Sequence, residues 1–595
     1  MTGRADRLLS GLISVLLAGV ALAALAGLMT VADRGLDITD EGYFIQSILR
    51  PGDIAVSPVD FGPVFAALGD DIVTVRRLSF VLMAGAGALL GMAALHLAAP
   101  GRLGLTAGAA AGAIGGLAGI AQWWLLTPSY NTLAGLGAMV MAAGVTLYAG
   151  GGRFVRPRGA AVAAVMVGAG VVLAFLGRPN AAAALAVVTV PFALILAGPL
   201  RALALAGVAT ASALALLMLN AVLTDGGPLA YISRLSSAAD LALRMQGSHD
   251  AGAAFAAMRL GAETLVTRLG WPPVRPLAPV LLGVLLLAAG AAWLRPAWRA
   301  GAAAVVSAVL AGGTLWAIWT WHTEYPGSWA PLLGEVGLEL AVLMAGLALA
   351  SLVLWPGGPS RAPRIRQMVL AAYLLSMGLF LPYGTGIDWT YAIDAGHLFF
   401  ALAVVLLAGA VAPDAPRAGL LAVLALVAAV PPGMAARESL AEPYRLVGGL
   451  DAQTETLSFL ASPTTLRVDA ATAAWAASLQ QAALDAGWTP GMALIDLTGG
   501  TPAAAAILGA EAPAVPWLIG GYPGSADFVT TALGYAVPAT LERAWVLTAP
   551  DGSRALPASV LTAHGLPFPD GYERVGTAVT GWRSEAQELW RPAVR

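Results

Sequence analysis

The sequence contains no cysteine and no lysine, and all 32 of its basic residues are arginine. The absence of cysteine excludes disulfides, thiolate metal ligands and a thiol nucleophile. The absence of lysine means that any side chain that pairs with a phosphate must be a planar, permanently charged guanidinium. The formal net charge of -2 provides no basic field, so we expect no nucleic-acid partner.

Charged residues of both signs are scarce, at 11% of the chain against 58% hydrophobic residues, and the mean hydropathy is +0.78. Soluble domains carry about 25% charged residues, so this composition indicates an integral membrane protein. Apolar runs long enough to cross a bilayer core of about 30 Å recur as far as about residue 435. We predict a polytopic α-helical membrane protein with about thirteen spans. They lie near residues 8–31, 78–99, 104–126, 132–150, 159–177, 181–200, 202–223, 276–294, 300–320, 334–355, 367–383, 395–412 and 418–435.

Arginines predict the orientation of these spans. Arg4 and Arg7 precede the first apolar run, which is too long for a signal peptide and is expected to be a retained helix. Arginines then recur in every second short loop, which places the N-terminus in the cytoplasm of a bacterial-type inner membrane. Residues 1–436 would form the membrane domain, with long external loops at 32–75 and 225–275, and residues 437–595 an extracytoplasmic domain.

The segment 437–595 has the composition and size of one soluble domain. Helical patterns at about 450–461 and 469–487 precede a strand-like run at 493–497, a Thr-Gly-Gly-Thr turn and an Ala-rich helix. Runs at 517–519 and 545–547 are typical of further strands. The alternation predicts a small α/β domain.

Three acids, Asp37, Asp40 and Glu41, follow the first span immediately. The apolar positions of the next segment, 42–50, predict a short helix lying in the membrane interface. The acids could form a solvated loop, act as a general base toward an acceptor hydroxyl, or hold a divalent cation. A metal site at Asp37 and Asp40 is one reading, although no ligand spacing in the sequence supports it.

The order of these motifs resembles the GT-C superfamily of membrane glycosyltransferases, especially its aminoarabinose transferase and protein mannosyltransferase branch. The resemblance rests on the acidic pair Asp40-Glu41, the short helix after it, the entry to the second span at 76–79, and Arg178 between small residues at the end of the fifth helix. It covers mainly residues 30–200 together with the topology.

The resemblance implies transfer of a sugar from a polyprenyl-phosphate donor to a hydroxyl of a lipid, glycan or protein acceptor, on the external face and with inversion. Asp40 would be the catalytic base and Glu41 its neighbour in the acidic pair. Relatives often place a lysine near the donor phosphate, which this chain lacks, and Arg178 is the expected substitute because arginine binds two phosphate oxygens at once.

Further candidates are weighed against simpler roles. Arg76 and Arg77 could contact the donor phosphate, but arginines at a helix entrance commonly pair with nearby acids, here Asp70 and Asp71. Aromatic residues beside His322 and Glu324 would equally form a membrane-interface belt. The predicted phosphate-binding residues are Arg178, Arg77 and Arg234, and the predicted substrate-binding residues are Tyr43, Asp60, Tyr231, His322, Glu324 and His397.

Two other functions remain open. A transporter or flippase of lipid-linked sugars would also be polytopic and in contact with membrane lipids, but it predicts charges inside several spans and internal repeats. The sequence shows mainly Glu335 and Glu339 inside spans and no repeat. A noncatalytic scaffold that displays its C-terminal domain is the third possibility.

Overall fold

The computed structural model describes residues 2–50, 53–55, 62–121, 124–150, 157–245, 256, 259, 361–384, 393–411 and 417–593. Within these ranges, helices dominate as far as Ala441 and a smaller domain with six strands follows. The helices of the first part are α1 (Thr2–Thr30), α2 (Asp40–Leu49), α3 (Gly62–Ala67), α4 (Ile72–Ala98), α5 (Arg102–Ala121), α6 (Tyr130–Gly150), α7 (Pro157–Gly177), α8 (Pro179–Ala197), α9 (Pro199–Asp225), α10 (Pro228–Arg244), α11 (Arg361–Phe380), α12 (His397–Val411) and α13 (Arg417–Ala441).

Eight of the described helices are long and apolar enough to cross a membrane, and α12 is a shorter apolar helix. They confirm the polytopic helical architecture expected from the hydropathy. The predicted spans at 276–294, 300–320 and 334–355 lie outside the described residues. The predicted span at 367–383 falls on α11, which is not one of the eight, and every remaining predicted span falls on one of the eight or on α12.

The helices α5, α7, α9, α11 and α13 begin at the same end of the bundle. Contacts at that end include the Ala418 amide to Asp6 Oδ1 at 2.8 Å and the Tyr148 hydroxyl to the Arg201 carbonyl at 2.7 Å. Arginines of the short connections gather here, as the orientation argument requires, whereas the chain after α13 enters the C-terminal domain at the opposite end. We call that opposite end the domain end; its orientation across the membrane stays a prediction.

Small residues set the distance between neighbouring helices. A Cβ on Gly87 of α4 would lie 2.1 Å from the Gly112 carbonyl oxygen of α5, and one on Gly91 would lie 1.9 Å from that of Gly108. Close backbone approach of this kind replaces hydrophobic driving force in a lipid environment, where burying apolar side chains gains little. The Ala/Gly richness of the spans therefore serves close helix packing.

The C-terminal domain packs short helices against a four-stranded mixed sheet and a separate hairpin. The hairpin pairs Glu455 with Val468, and in the larger sheet, of order β3-β4-β6-β5, only β3 and β4 run parallel. The elements are β1 (Glu455–Ser458), β2 (Thr465–Val468), α14 (Ala470–Asp485), β3 (Leu494–Asp496), α15 (Ala503–Leu508), α16 (Ser525–Gly534), α17 (Pro538–Leu541), β4 (Trp545–Thr548), α18 (Ser559–Thr562), β5 (Tyr572–Val579) and β6 (Ala586–Pro592).

Two local predictions for this domain are wrong. Residues 450–461, expected to be helical, form a 3₁₀ turn and strand β1, in which only Leu457 faces the core. Residues 517–519, expected to be a strand, have no strand partner. Pro516 removes a ladder donor just before this run, and the indole of Trp517 donates instead to the Gly499 carbonyl at 3.1 Å. The strands at 494–496 and 545–548 are confirmed.

Helix α2 forms where the juxtamembrane helix was predicted, but it does not lie exposed in an interface. Phe44, Ile45 and Ile48 are buried, as is the polar Gln46, whose amide donates to the Ala510 carbonyl at 3.3 Å. The helix is covered because α15 of the C-terminal domain packs on it. Its apolar residues therefore join bundle and domain rather than facing lipid.

Backbone hydrogen bonds fix the C-terminal domain to the loops of the bundle. The Arg467 amide donates to the Asp33 carbonyl at 2.7 Å and the Gly35 amide to the Arg467 carbonyl at 2.8 Å, so the chain after α1 runs along the edge of β2. The Ala503 amide donates to the Ile38 carbonyl at 3.2 Å. The domain is consequently built into the domain end of the bundle.

Replacement of Gly42 tests this junction. A Cβ there would lie 2.5 Å from the Ala503 nitrogen and 2.8 Å from its Cβ, and neither atom can rotate away. We expect Gly42→Ala to cost about 1–3 kcal/mol through overpacking and to lower the unfolding temperature of the purified full-length protein. Gly85→Ala is the matched control, because nothing lies within 4 Å of its Cβ position. Equal unfolding temperatures for the two variants would contradict the packing described here.

Asp496 predicts a pH dependence of stability. Its Oδ1 accepts the Thr498 amide at 2.9 Å, its Oδ2 is buried, and burial raises its pKa to about 6 from a reference of 3.8. Because the folded pKa is the higher one, the folded state holds the proton more tightly, and stability is lost as the pH rises from about 4 to about 6. The shift corresponds to at most about 3 kcal/mol.

The measurement compares parent and Asp496→Asn in thermal unfolding between pH 4 and pH 8. The variant should gain stability relative to the parent as the pH rises through 6, because it has no charge to bury there. Other groups titrate identically in both proteins and cancel in the difference. A difference that is constant with pH would refute the assignment.

Candidate functional site

A buried ion pair organises the domain end of the bundle. Arg76 of α4 is fully buried, and its Nη2 lies 2.9 Å from Glu41 Oε1 of α2. The same guanidinium donates to the carbonyls of Ala32 and Gly35 at 2.9 and 3.1 Å, and to Thr127 Oγ1 at 3.0 Å. One side chain therefore joins the end of α1, the loop after it, α2 and the segment before α6.

Glu41 is correspondingly occupied. Oε1 also accepts the Thr127 amide at 2.9 Å, and Oε2 accepts the Asp37 amide at 3.2 Å. With its side chain 2% exposed and both oxygens engaged, Glu41 is poorly placed to exchange protons with a substrate. Its catalytic role stays a prediction, and the geometry favours a structural one.

Asp37 caps the first turn of α2. Its carboxylate accepts the Thr39 amide and hydroxyl at 3.0 and 2.7 Å and the Asp40 amide at 3.0 Å. An acid at this position satisfies amides that have no partner within the helix and complements the helix dipole. Burial and the neighbouring Asp40 raise the pKa of Asp37 to about 7, whereas Arg445 and Thr39 act in the opposite direction.

Asp40 is the accessible member of the group, with 27% of its side chain exposed. Arg445, in the linker after α13, holds it through Nη1 to Oδ2 at 3.0 Å and also donates to Thr39 Oγ1 at 2.5 Å. The guanidinium carbon of Arg445 lies 4.5 Å from the ring centroid of Tyr444 and 5.4 Å from that of Trp582. In the described part of the chain, Oδ1 of Asp40 accepts no hydrogen bond.

Arg178 lies at the break between α7 and α8. Pro179 occupies the first position of α8 and disfavours a helical conformation in the residue before it, so Arg178 is extended, with φ of -143°. The partly buried guanidinium sits over the ring of Tyr130, 5.0 Å from its centroid. Burial lowers the pKa of Arg178 to about 10, so it remains charged at neutral pH. Among the residues with described positions, none forms an ion pair with it.

Tyr130 links the two charged groups. Its phenol lies within electrostatic range of Asp40, Arg178, Tyr522 and Arg445, and its ring meets Phe44 of α2 edge-on at 5.2 Å between centroids. The membrane bundle, the linker and the C-terminal domain thus converge on one place. Tyr130 therefore has one accessible carboxylate and two cations around it.

Other predicted residues are not all part of this group. Arg77 is exposed on the surface of α4, while Arg76, whose expected partners were Asp70 and Asp71, pairs with Glu41 instead. Asp71 caps α4 by accepting the amides of Val73 and Thr74.

Helix α10 lies within the segment 225–275, which was predicted to be a long external loop. Arg234 makes two hydrogen bonds, of 2.8 and 3.0 Å, to Asp225, and its guanidinium carbon is 5.2 Å from the Tyr231 ring centroid. This buried ion pair anchors α10 to the end of α9, so the geometry does not favour Arg234 as a phosphate ligand.

Of the remaining predicted residues, Tyr43 is partly buried with its ring 6.0 Å from that of Trp517. His397 is buried at the start of α12, and its role stays a prediction. Asp60, His322 and Glu324 lie outside the described residues.

The sequence analysis missed Arg445 and Tyr130. Both sit beside aromatic or polar residues at the boundary of an apolar run, a signal too common to single them out. Their importance follows only from the tertiary contacts with Asp40 and Arg178.

The donor set for a divalent cation is weak. Within the ranges that the structure covers, no cluster of three or more histidine, aspartate or glutamate side chains is suited to a metal ion. Asp37 uses its oxygens to cap α2, and Asp40 is paired with Arg445. These two acids fit their hydrogen-bonding roles better than they fit a metal site.

Comparisons with known proteins give a likeness to a solved structure. No protein-family model matches the chain, and no curated protein matches it. Among solved structures, the chain is similar to the crystal structure of ArnT from Cupriavidus metallidurans bound to undecaprenyl phosphate, with a TM-score of 0.39 and 17% identity over 97% of both chains. Identity and score are both low, so the likeness does not establish the chemistry of this site.

The Glu41 and Arg76 pair generates a stability prediction. Glu41→Ala leaves Arg76 buried without a counter-charge and should cost about 3–5 kcal/mol, whereas Glu41→Leu combined with Arg76→Met should cost less. Thermal unfolding of the two variants and the parent checks the order. If Glu41→Ala were inactive yet as stable as the parent, Glu41 would be catalytic rather than structural.

Proposed function

We propose that this chain is a glycosyltransferase that moves a sugar from a polyprenyl-phosphate donor to an acceptor hydroxyl at the domain end of the bundle. The observation that carries the proposal is the combination of Arg178, a partly buried cation without an ion pair among the described residues, with the accessible carboxylate of Asp40. A buried charge without a partner is costly, so an anionic group of the substrate is expected to complete the site.

Asp40 supplies the base. Arg445 binds Oδ2 of the carboxylate and leaves Oδ1 for other partners. Oδ1 takes the proton of the acceptor hydroxyl as its oxygen attacks the anomeric carbon, and the bond from that carbon to the donor phosphate oxygen breaks with its electron pair remaining on the phosphate. The products are the glycosylated acceptor, protonated Asp40 and polyprenyl phosphate.

Arg178 stabilises the leaving group. The phosphate gains negative charge as the bond breaks, and a guanidinium that can bind two oxygens at once lowers the energy of that transition state. The guanidinium is held over Tyr130 before any substrate arrives, which reduces the entropy lost on binding. Its place at the end of two spans suits a phosphate whose lipid tail lies in the bilayer.

The stereochemical outcome follows from the number of available acids. Asp37 and Glu41 are both engaged by backbone amides, which leaves Asp40 as the accessible acid of the three. With one acid acting as base and no second one positioned as a nucleophile among them, a single displacement is expected, and it inverts the anomeric carbon.

The experiment incubates the purified full-length protein with a panel of polyprenyl-phosphate sugars and measures release of polyprenyl phosphate. Asp40→Asn should lower turnover roughly 100- to 10,000-fold, because the base is lost while the fold is kept. Arg178→Ala should lower it about 100- to 1,000-fold, as loss of a preorganised donor to a developing anion does.

Arg201→Ala is the matched control for Arg178→Ala. Arg201 lies just beyond the opposite end of α8 and sits over Tyr148 at 5.3 Å, as Arg178 sits over Tyr130. Its removal should leave turnover within about twofold of the parent value. Tyr148, which Arg201 contacts, lies about 27 Å from Tyr130 along α6. Equal effects of the two arginines, or a fully active Asp40→Asn protein, would overturn the assignment. Movement of the intact lipid-linked sugar across vesicles without release of polyprenyl phosphate would favour a flippase.

A further inference from the structure

Two Gly-Gly pairs of the C-terminal domain enclose one arginine, Arg554. A Cβ on Gly499 or Gly520 would lie 2.1 or 1.8 Å from the Arg554 carbonyl oxygen, and one on Gly521 would lie 2.9 Å from its Cγ. A Cβ on Gly500 would reach its Cδ at 3.4 Å. A side chain at Gly499 or Gly520 would collide with the backbone of Arg554, and one at Gly521 with its stem, so both turns are shaped around this residue.

The charged end of Arg554 has no acidic partner among the residues placed by the structure. Its guanidinium carbon lies 5.8 Å from the ring centroid of Tyr522, whose side chain is prominently exposed at 41%. Nearby, Glu585 is engaged by the amide and hydroxyl of Ser553 at 3.0 and 2.8 Å. The cation is therefore held in place without being neutralised.

This arginine borders the site described above. Tyr522 lies within electrostatic range of Tyr130, and Trp517, which donates to the Gly499 carbonyl, has its ring 6.0 Å from that of Tyr43 on α2. Trp517 and Tyr522 therefore lie on either side of the glycine turns that surround Arg554, and Trp517 connects these turns to Tyr43. This connection leads from the helix that carries Asp40 onto the C-terminal domain.

The geometry points to an acceptor subsite on the C-terminal domain, in which Arg554 binds the anionic group of a sugar whose ring lies against Trp517 and Tyr522. The inference rests on the proposed glycosyl transfer and assigns its acceptor to the class of acidic glycans, those that carry a phosphate or carboxylate. Aromatic faces offer apolar contact to the C–H face of a sugar, and a guanidinium pairs with two oxygens of an acid group.

A separate subsite for the acceptor agrees with the placement of the two unpaired arginines. Arg178 belongs to the end of two membrane spans, where the phosphate of a lipid-linked donor would lie. Arg554 belongs to the soluble domain, where a water-exposed acceptor would arrive. Asp40 lies on α2, between bundle and domain, with 27% of its side chain exposed.

The test measures binding of glucose 6-phosphate to the full-length protein in detergent by saturation-transfer difference NMR, with glucose and inorganic phosphate as separate ligands. Glucose 6-phosphate should bind at least about tenfold more tightly than either part. Arg554→Ala should weaken it about tenfold or more, and Arg554→Lys should weaken it less, because lysine retains the charge without the bidentate geometry.

Arg543→Ala is the matched control, since Arg543 is an exposed arginine of the same domain bonded to the Ala539 carbonyl, and it should bind like the parent. The unfolding temperature of each variant separates loss of the subsite from loss of the fold. Saturating polyprenyl phosphate should leave glucose 6-phosphate binding unchanged. Displacement by polyprenyl phosphate would assign Arg554 to the donor site, and equal binding by parent and Arg554→Ala would remove the subsite; either result overturns the inference.

These outcomes are distinct from failure of the proposed function. If glucose 6-phosphate binds through Arg554 but no donor releases polyprenyl phosphate, the subsite is supported and the proposed transfer reaction is wrong. If release of polyprenyl phosphate occurs and depends on Asp40, but glucose 6-phosphate binds equally well without Arg554, the proposed reaction is supported and the acceptor assignment is wrong.

Discussion

The buried pair of Glu41 and Arg76 is the interaction on which the domain end of this protein depends. Five hydrogen bonds join these two buried side chains to each other and to Ala32, Gly35 and Thr127. A buried ion pair of this kind gives little net stability compared with apolar packing, but its directional bonds orient the segments that it joins. It fixes where α2 begins, and with it the position of Asp40.

Three adjacent acids consequently have three different roles. Successive residues of a helix point about 100° apart, so Glu41 can face the core of the bundle while Asp40 faces the linker. Asp37, three residues earlier, turns back to cap the helix that carries the other two. Charge alone does not distinguish them, whereas exposure does, at 2% for Glu41 and 27% for Asp40. Burial therefore leaves Asp40 as the accessible acid of the three.

Much of the bundle could be predicted from the sequence because hydropathy and small-residue content are local properties. The extents of α4 to α9, and the strands at 494–496 and 545–548, follow from such patterns. The surroundings of α2 could not, since an apolar face reads the same whether lipid or α15 covers it. Arg445 and Arg178 differ likewise only in their tertiary partners, because one meets Asp40 and the other an aromatic ring. The helix prediction for residues 450–461 was wrong for another reason, because a short mixed segment satisfies the helix and strand periods equally well.

The contact of Gly42 with Ala503 limits how this architecture can be divided. A domain attached by a linker alone can be exchanged between related chains, but here the backbone of α15 touches the helix that carries Asp40. A chimera that takes a foreign C-terminal domain would have to take the matching α2 with it. Helices α2 and α15 are about 450 residues apart in the sequence, but they must fit each other. Substitutions in one are therefore expected to be accompanied by substitutions in the other.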